Sequence, residues 1–372
     1  MKNIFLVVSF ILFSTLLFGQ ATIVLTNNSN MERNNEVVEI PWNTILSKYN
    51  NIDTSALVII NKKTKATIVY QYEYKGSKVI QHLLVRLSIP ARASITIQLA
   101  KGTRPVFETK TYCRFVPERK DDFAWENDKI AFRMYGKALE KTPNENAYGT
   151  DVWSKRTKKM VINEWYKTNN YHEDNGDGLD YYHVGYFLGA GDIAPYSKDS
   201  IWHPKNYSSW KVLDNGPLRS SFELSYDAWN VDGEAVTVTK SISLDAGAQL
   251  NKVSVVYSFN KNEPLPLAIG ISRRADAGTM HLDEQQGILG YWEPTHGNDG
   301  TIGVACIIPS IKNKMTLTKG HLLSIVQSNS NQPLVYYKGA AWDKAGEIVS
   351  ASDWFNYLKA FNVKIASPIL IH

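Results

Sequence analysis

Cysteine is almost missing from this chain: Cys113 and Cys306 are the whole complement in 372 residues. They stand far apart and without CxxC spacing, which excludes a disulfide-scaffolded mini-fold and a thiolate zinc site. Two readings of the pair stand: one bridge in an oxidising compartment, or two buried free thiols. Dense basic blocks are missing too. The formal charge of +5 comes from scattered lysines and arginines, so nucleic acid is excluded as a partner, whereas an anionic substrate in a local basic pocket is compatible with it. There is no GxSxG elbow, no HExxH, and no phosphate-cradling glycine loop between a strand and a helix; LGAGD at Leu188 resembles one only superficially. Serine hydrolase, zincin and nucleotide-dependent chemistry are set aside accordingly. Past the N-terminus no apolar run approaches the roughly 20 residues that a membrane span needs.

What is present begins with Met1 to Gly19, where Lys2, an apolar run from Ile4 to Phe18 and small residues at Ser14, Gly19 and Ala21 read as a secretory signal peptide. No cysteine follows it, so no lipoprotein anchor is indicated, and the expected destination is the periplasm or the medium. Beyond it come short runs rich in Val, Ile, Thr and Tyr between Asn, Lys and Gly turns: ATIVLTN, SALVIIN, HLLVRLSI, SITIQLA, and later SSFELSYDAW, AVTVTKSISL, NKVSVVYSF and PLAIGISRR. Their spacing predicts an all-β fold, an antiparallel β-sandwich with few short helices. A linker-like stretch, Leu99 to Lys110, separates an N-terminal strand region (20–110) from a larger β-sandwich catalytic region (111–372), as two domains or as parts of one. One helix is expected near the end, with Ser352 as its cap and Trp354, Phe355, Leu358 and Phe361 on one face; Asn43 to Tyr49 offers a helical turn.

The densest chemistry lies in YHEDNGDGLDYYHVGYFLGAGDIA, Tyr171 to Ala194. It combines imidazole, phenol and carboxylate around glycines, and shows neither a helical nor a strand period. His172 is the candidate proton-transfer imidazole, with Tyr182 as phenolic partner; His183, which runs into the apolar VGYFLG, is the weaker histidine. Asp174, Asn175, Asp177 and Asp180 have acidic spacing that leaves a bound calcium open, although no EF-hand register closes around them; Asp180 equally suits orienting a histidine. Just upstream, DVWSKRTKK supplies Trp153 as a sugar platform and Lys155 and Arg156 as cations for carboxylate or sulfate. Arg114, Arg133, Arg219, Arg273 and Arg274 are further candidates for an anion pocket, with Arg133 on the same face of an alternating strand as Ala131 and Tyr135. Ten tryptophans suit stacking on sugars, and equally suit a sandwich core.

Several blocks carry a resemblance to a known family: EVVEIPW, WENDKIAFRMYG (Trp125 to Gly136), YGTDVWSKR (Tyr148 to Arg156), YHEDNGDGLDYYHVGYFLGAG, NGPLRSSFEL and the final tryptophan-bearing helix. Together they resemble a secreted β-sandwich family, long carried as a domain of unknown function in polysaccharide-degrading bacteria. The resemblance implies the supersandwich shared by galactose mutarotases and several polysaccharide lyases. It also implies the activity described in that group, an oligosaccharide dehydratase in the breakdown of ulvan, with no cofactor required. On that expectation water is removed (C4 hydroxyl and C5 hydrogen) from a terminal uronic acid of an anionic oligosaccharide. From residue chemistry, His172 and Tyr182 serve as base and acid in either order, Arg133, Lys155, Arg156 and Arg219 hold the anion, and Trp153 and Asp180 complete the site. A β-eliminating polysaccharide lyase needs the same equipment; an epimerase or mutarotase and a non-catalytic carbohydrate-binding protein are the remaining alternatives.

Overall fold

The computed structural model describes residues 21–49, 52–309 and 312–372; Met1 to Gly19, expected to be a signal peptide, lies outside them. The predicted strands form, and every ladder between them is antiparallel. In the first strand, Thr22–Asn27, alternate residues are buried. That alternation is the pattern of a sheet with one face on a core.

Two sandwiches result. The smaller pairs a four-stranded sheet, ordered Leu370–Ile371, Thr22–Asn27, Ala93–Lys101, Leu57–Asn61, with a three-stranded sheet of Arg33–Pro41, His82–Ile89 and Val69–Glu73. Ile23, Leu25, Ile40, Ile59, Leu83, Val85 and Ile97 fill the space between. Residues 370–371 thus finish a sheet begun at residue 22, pairing Leu25 with Ile371. Of the linker-like stretch, Leu99 to Lys101 finish the strand Ala93–Lys101 and the remainder leads to the strand Thr111–Val116.

The larger sandwich is built on an eight-stranded sheet running from Ser209–Asp214 at one edge to Thr279–Asp283 at the other. Two five-stranded sheets cover one of its faces. One contains Thr111–Val116, Asp122–Asn127, Ile130–Met134, Asp151–Lys155 and Gly178–Leu179; the other is centred on Leu265–Ser272. Phe123, Trp125, Phe132 and Val152 meet Phe222, Leu224, Val253 and Tyr336 in the shared core.

The helix Ala351–Ala366 packs Trp354 and Leu358 against this sandwich. Its cap is Ser350, not Ser352: the extended backbone of Ser350 lets its hydroxyl accept from the Asp353 N–H at 3.2 Å, while Ser352 already lies inside the first turn. The helical turn expected from Asn43 forms as Trp42–Lys48. Among the described residues no helix is long and apolar enough to cross a membrane. Both cysteines are buried and free, which settles the two readings in favour of thiols.

Candidate active site

The five-stranded sheet holding Asp151–Lys155 has two unlike faces. Val152 points into the main core, so Asp151, Trp153 and Lys155 must share the opposite face. Register places Asp151 across from Arg133 and Trp153 across from Ala131. This outer face is roofed by the helix Ile162–Thr168 and by the segment from Tyr171, which close over Trp153 with Trp165, Tyr166 and Tyr171.

Under the roof sits a compact ionic cluster. The Arg133 guanidinium lies 2.5 Å from the Asp151 carboxylate, 3.1 Å from Asp180 and 3.8 Å from Asp122, and it packs over the rings of Tyr135 and Trp153. Burial raises all three carboxyls, against the pull of Arg133: Asp122 to about 7, Asp151 above its ordinary range, and Asp180 well above it. Burial outweighs the pull of Arg133, and of Arg119 on Asp122 and Asp180, so these carboxyls hold protons more readily than free ones do.

Glycine lets the roof approach this closely. A Cβ on Gly178, at φ +123°, would stand 2.0 Å from the Ser154 carbonyl oxygen, and one on Gly189, at φ +62°, 2.2 Å from that of Thr150. No other residue fits either position.

His172 stands on the outer side of the roof with 67 % of its side chain exposed. Its Nδ1 lies 3.0 Å from the Asp180 carbonyl oxygen. A carbonyl only accepts, so Nδ1 donates, and the neutral ring presents an unprotonated Nε2 to solvent. The nearest aromatic partner of His172 is Tyr171, at 4.5 Å between ring centres.

Tyr182, by contrast, is 4 % exposed and lies beneath Arg274, whose guanidinium carbon is 4.5 Å from the phenol ring centre. Its hydroxyl faces Ser272 without closing a hydrogen bond, and burial holds its pKa far above the ordinary phenol value. Arg274 is fixed by Glu293, 2.8 Å from Nε, and by the His183 carbonyl oxygen, 2.7 Å from Nη1. Burial, only partly offset by Arg274, lifts Glu293 to about 7. His183 itself is exposed.

Trp153 is fully buried and offers no face to a sugar. Lys155 is equally enclosed, donating to Glu126 at 2.6 Å and to the Asn127 carbonyl at 2.7 Å; Glu126 in turn accepts from the N–H groups of Val161 and Ile162 at the start of the roofing helix. Burial lowers the Lys155 pKa against the pull of Glu126. Arg219 binds Glu39, Glu73 and Asp245 at 2.5, 3.0 and 2.5 Å, tying the small sandwich to the large sheet. Arg156 is partly exposed and joins Asp174 at 2.9 Å. The other Asp174 oxygen accepts from Gly176 N–H, so this carboxylate of the acidic loop is occupied in shaping its own turn.

Glu39, Glu73 and His82 gather closely enough to share a cation, but Arg219 already supplies the positive charge there. A well-formed groove among the described residues lies away from the histidine segment. This groove of about 410 Å³ runs between the small sandwich, the large sheet and the last helix, lined by Glu39, Asp245, Lys252, Tyr337 and Lys364 among others. Its acids are already paired, Glu39 and Asp245 with Arg219 and Glu36 with Arg33 and Lys364. Sequence reasoning missed Glu293, which lies on no recognisable motif, and the exposed rings of Tyr186 and Phe187, which read as part of an apolar core run.

Two solved structures from Enterococcus faecalis share the fold at 11 % identity: a protein in glycosyl hydrolase family 38 (TM-score 0.53, 94 % of this chain) and an alpha-mannosidase (TM-score 0.54, 95 % of this chain). The chain spans about half their length, 47 % and 46 %. Uncharacterized protein P7 of Formosa agariphila is 31 % identical over 277 residues, covering 69 % of this chain and 68 % of that protein. With its model matching residues 25–371, the family is shown: the chain belongs to the domain of unknown function DUF4861.

Proposed function

We propose that the protein is a carbohydrate-active enzyme, a carbon–oxygen lyase that removes water from the terminal uronic acid of an anionic oligosaccharide of the ulvan type and leaves a 4,5-unsaturated sugar. The observation that carries this reading is His172: an exposed imidazole whose Nδ1 is committed to a main-chain carbonyl and whose Nε2 is therefore a base open to solvent. The likeness to glycosidase-type folds supports a sugar substrate.

In the reaction His172 takes the C5 proton. The carbon acid is weak, so positive charge fixed near the substrate carboxylate supplies the largest share of the rate. Arg156 and Arg274 are the partly exposed cations available for that part; Arg133, Lys155 and Arg219 act from within, holding the roof and the lobes in place. Tyr182 is the acid rather than the base, because burial keeps its phenol protonated, and the departing hydroxide needs a proton.

The test is incubation with uronic-acid-ended oligosaccharides, following conjugated-alkene absorbance together with mass. An intact chain lighter by one water supports dehydration. Shortened chains mean a lyase acting on internal linkages, unchanged mass with a new epimer means an epimerase, and saturable binding heat without new absorbance means a binding protein.

A further inference from the structure

We propose that Arg274, with the Tyr182 hydroxyl and Glu293 beside it, is the seat for the carboxylate of an acidic sugar. The inference rests on the carbohydrate reading for the kind of ligand, and on charge and hydrogen-bond accounting for the place.

Arg133 and Arg219 each face three carboxylates, so their charge is spent inside the protein. Arg114 is paired with Glu118, and Arg273 donates to the Thr318 carbonyl in the open. Arg274 faces one carboxylate, Glu293, and its side chain is 22 % exposed. Its two internal bonds use Nε and Nη1, which leaves the Nη2 edge of the fork for a ligand.

The surroundings are short of acceptors. The Tyr182 and Tyr291 hydroxyls, on side chains 4 % and 1 % exposed, have no hydrogen-bond partner among the described residues, although Tyr291 lies close to the Arg274 main chain. Buried hydroxyls are nearly always paired, so two orphans around one under-compensated guanidinium mark a place where an acceptor is missing. A carboxylate supplies it, taking Arg274 on one oxygen and a phenol on the other.

Glu293 tunes the seat. It is faced by Arg274, by His296 and by the tyrosines 181, 182 and 291, while His296 is itself held by Asp299 at 2.9 Å. Ionised, Glu293 competes with the ligand for Arg274; protonated, it yields the guanidinium and adds a donor. Binding therefore weakens as pH rises through about 7.

The experiment is calorimetry with galacturonate, galactose and galactose 6-sulfate, on wild type and on R274M, Y182F and E293Q. Expected are preference for galacturonate over both other sugars, loss of about tenfold to a hundredfold in R274M, a smaller loss in Y182F, and a flattened pH profile in E293Q. A protein that binds galacturonate through Arg274 but turns nothing over refutes the dehydratase and keeps the seat. Equal binding of galactose, preference for the sulfate, no galacturonate binding, or unchanged affinity in R274M overturns the proposal. Should R274M fail to fold, unchanged affinity in Y182F together with an unchanged pH profile in E293Q overturns it as well.

Discussion

The imidazole of His172 hangs from the main-chain carbonyl of Asp180 at 3.0 Å, and the Asp180 carboxylate oxygen that meets Arg133 at 3.1 Å lies 3.8 Å from the same Nδ1. One residue thus orients the exposed base through its backbone and anchors that backbone through its carboxyl. Replacing His172 by Ala should lower turnover by about a hundredfold to ten-thousandfold and leave the unfolding midpoint where it was, since the ring is mostly solvated. Full turnover in the variant would remove the imidazole from the mechanism.

Trp153 and Lys155 are expected to matter for folding. Trp153→Ala should cost about 3–5 kcal/mol through the cavity it leaves, and Lys155→Ala a similar amount, because Glu126 would remain buried without its cation. Denaturant titration measures both. A Trp153→Ala protein of normal stability with weakened saccharide affinity would restore the indole as a sugar platform.

The Arg219 network should make the joint between the sandwiches sensitive to acid. Burial opposes ionisation of Glu39, but Arg219 outweighs it and draws the carboxyl down to about 2 from an ordinary 4.5. A depressed carboxyl lends stability that is complete above the ordinary value and disappears as pH falls toward about 2. Arg219→Gln should erase that profile and destabilise the protein even at neutral pH, with Glu39, Glu73 and Asp245 left facing one another. Superimposable acid-unfolding curves for the two proteins would count against it.

Asp122 works in the opposite sense. Its carboxyl is raised from 3.8 to about 7, so the stability it lends is complete below the ordinary value and is lost as pH climbs to about 7. Relative to Asp122→Asn, wild type should lose up to about 1.4 kcal/mol per pH unit over that interval. Midpoints that run parallel across it would show that Asp122 titrates normally.

Cys113 and Cys306 should resist thiol reagents in the native protein and react only on unfolding. Both are buried, which raises both thiols, Cys306 to about 12. Rapid labelling of either under native conditions would contradict the packing.

Much of the fold was legible because alternation along a strand is a local property: Thr22–Asn27 and Glu234–Asp245 announce a buried face residue by residue. The burial of Trp153 and Lys155 was not, because it depends on the short helix Ile162–Thr168, whose polar INEWYKT gives little sign that it will close over another sheet. Arg219 looked like a ligand-binding arginine because its partners at 39, 73 and 245 come from three separate strands. His172 was found from its neighbours in sequence, whereas the tether that gives it a defined tautomer belongs to a residue eight positions on. Glu293 escaped notice for a related reason: an acid acquires an unusual proton affinity from its enclosure, and enclosure is a property of the assembled sheets.

The pairing of Leu25 with Ile371 gives the small sandwich an unusual dependence on translation. Its first strand is made early, yet one of its two edges stays open until everything in the large sandwich has been synthesised. An unpaired edge invites foreign strands, so the nascent chain carries a sticky margin for most of its synthesis, and deleting residues 369–372 should turn a brief hazard into a permanent one, seen as aggregation with otherwise native spectra.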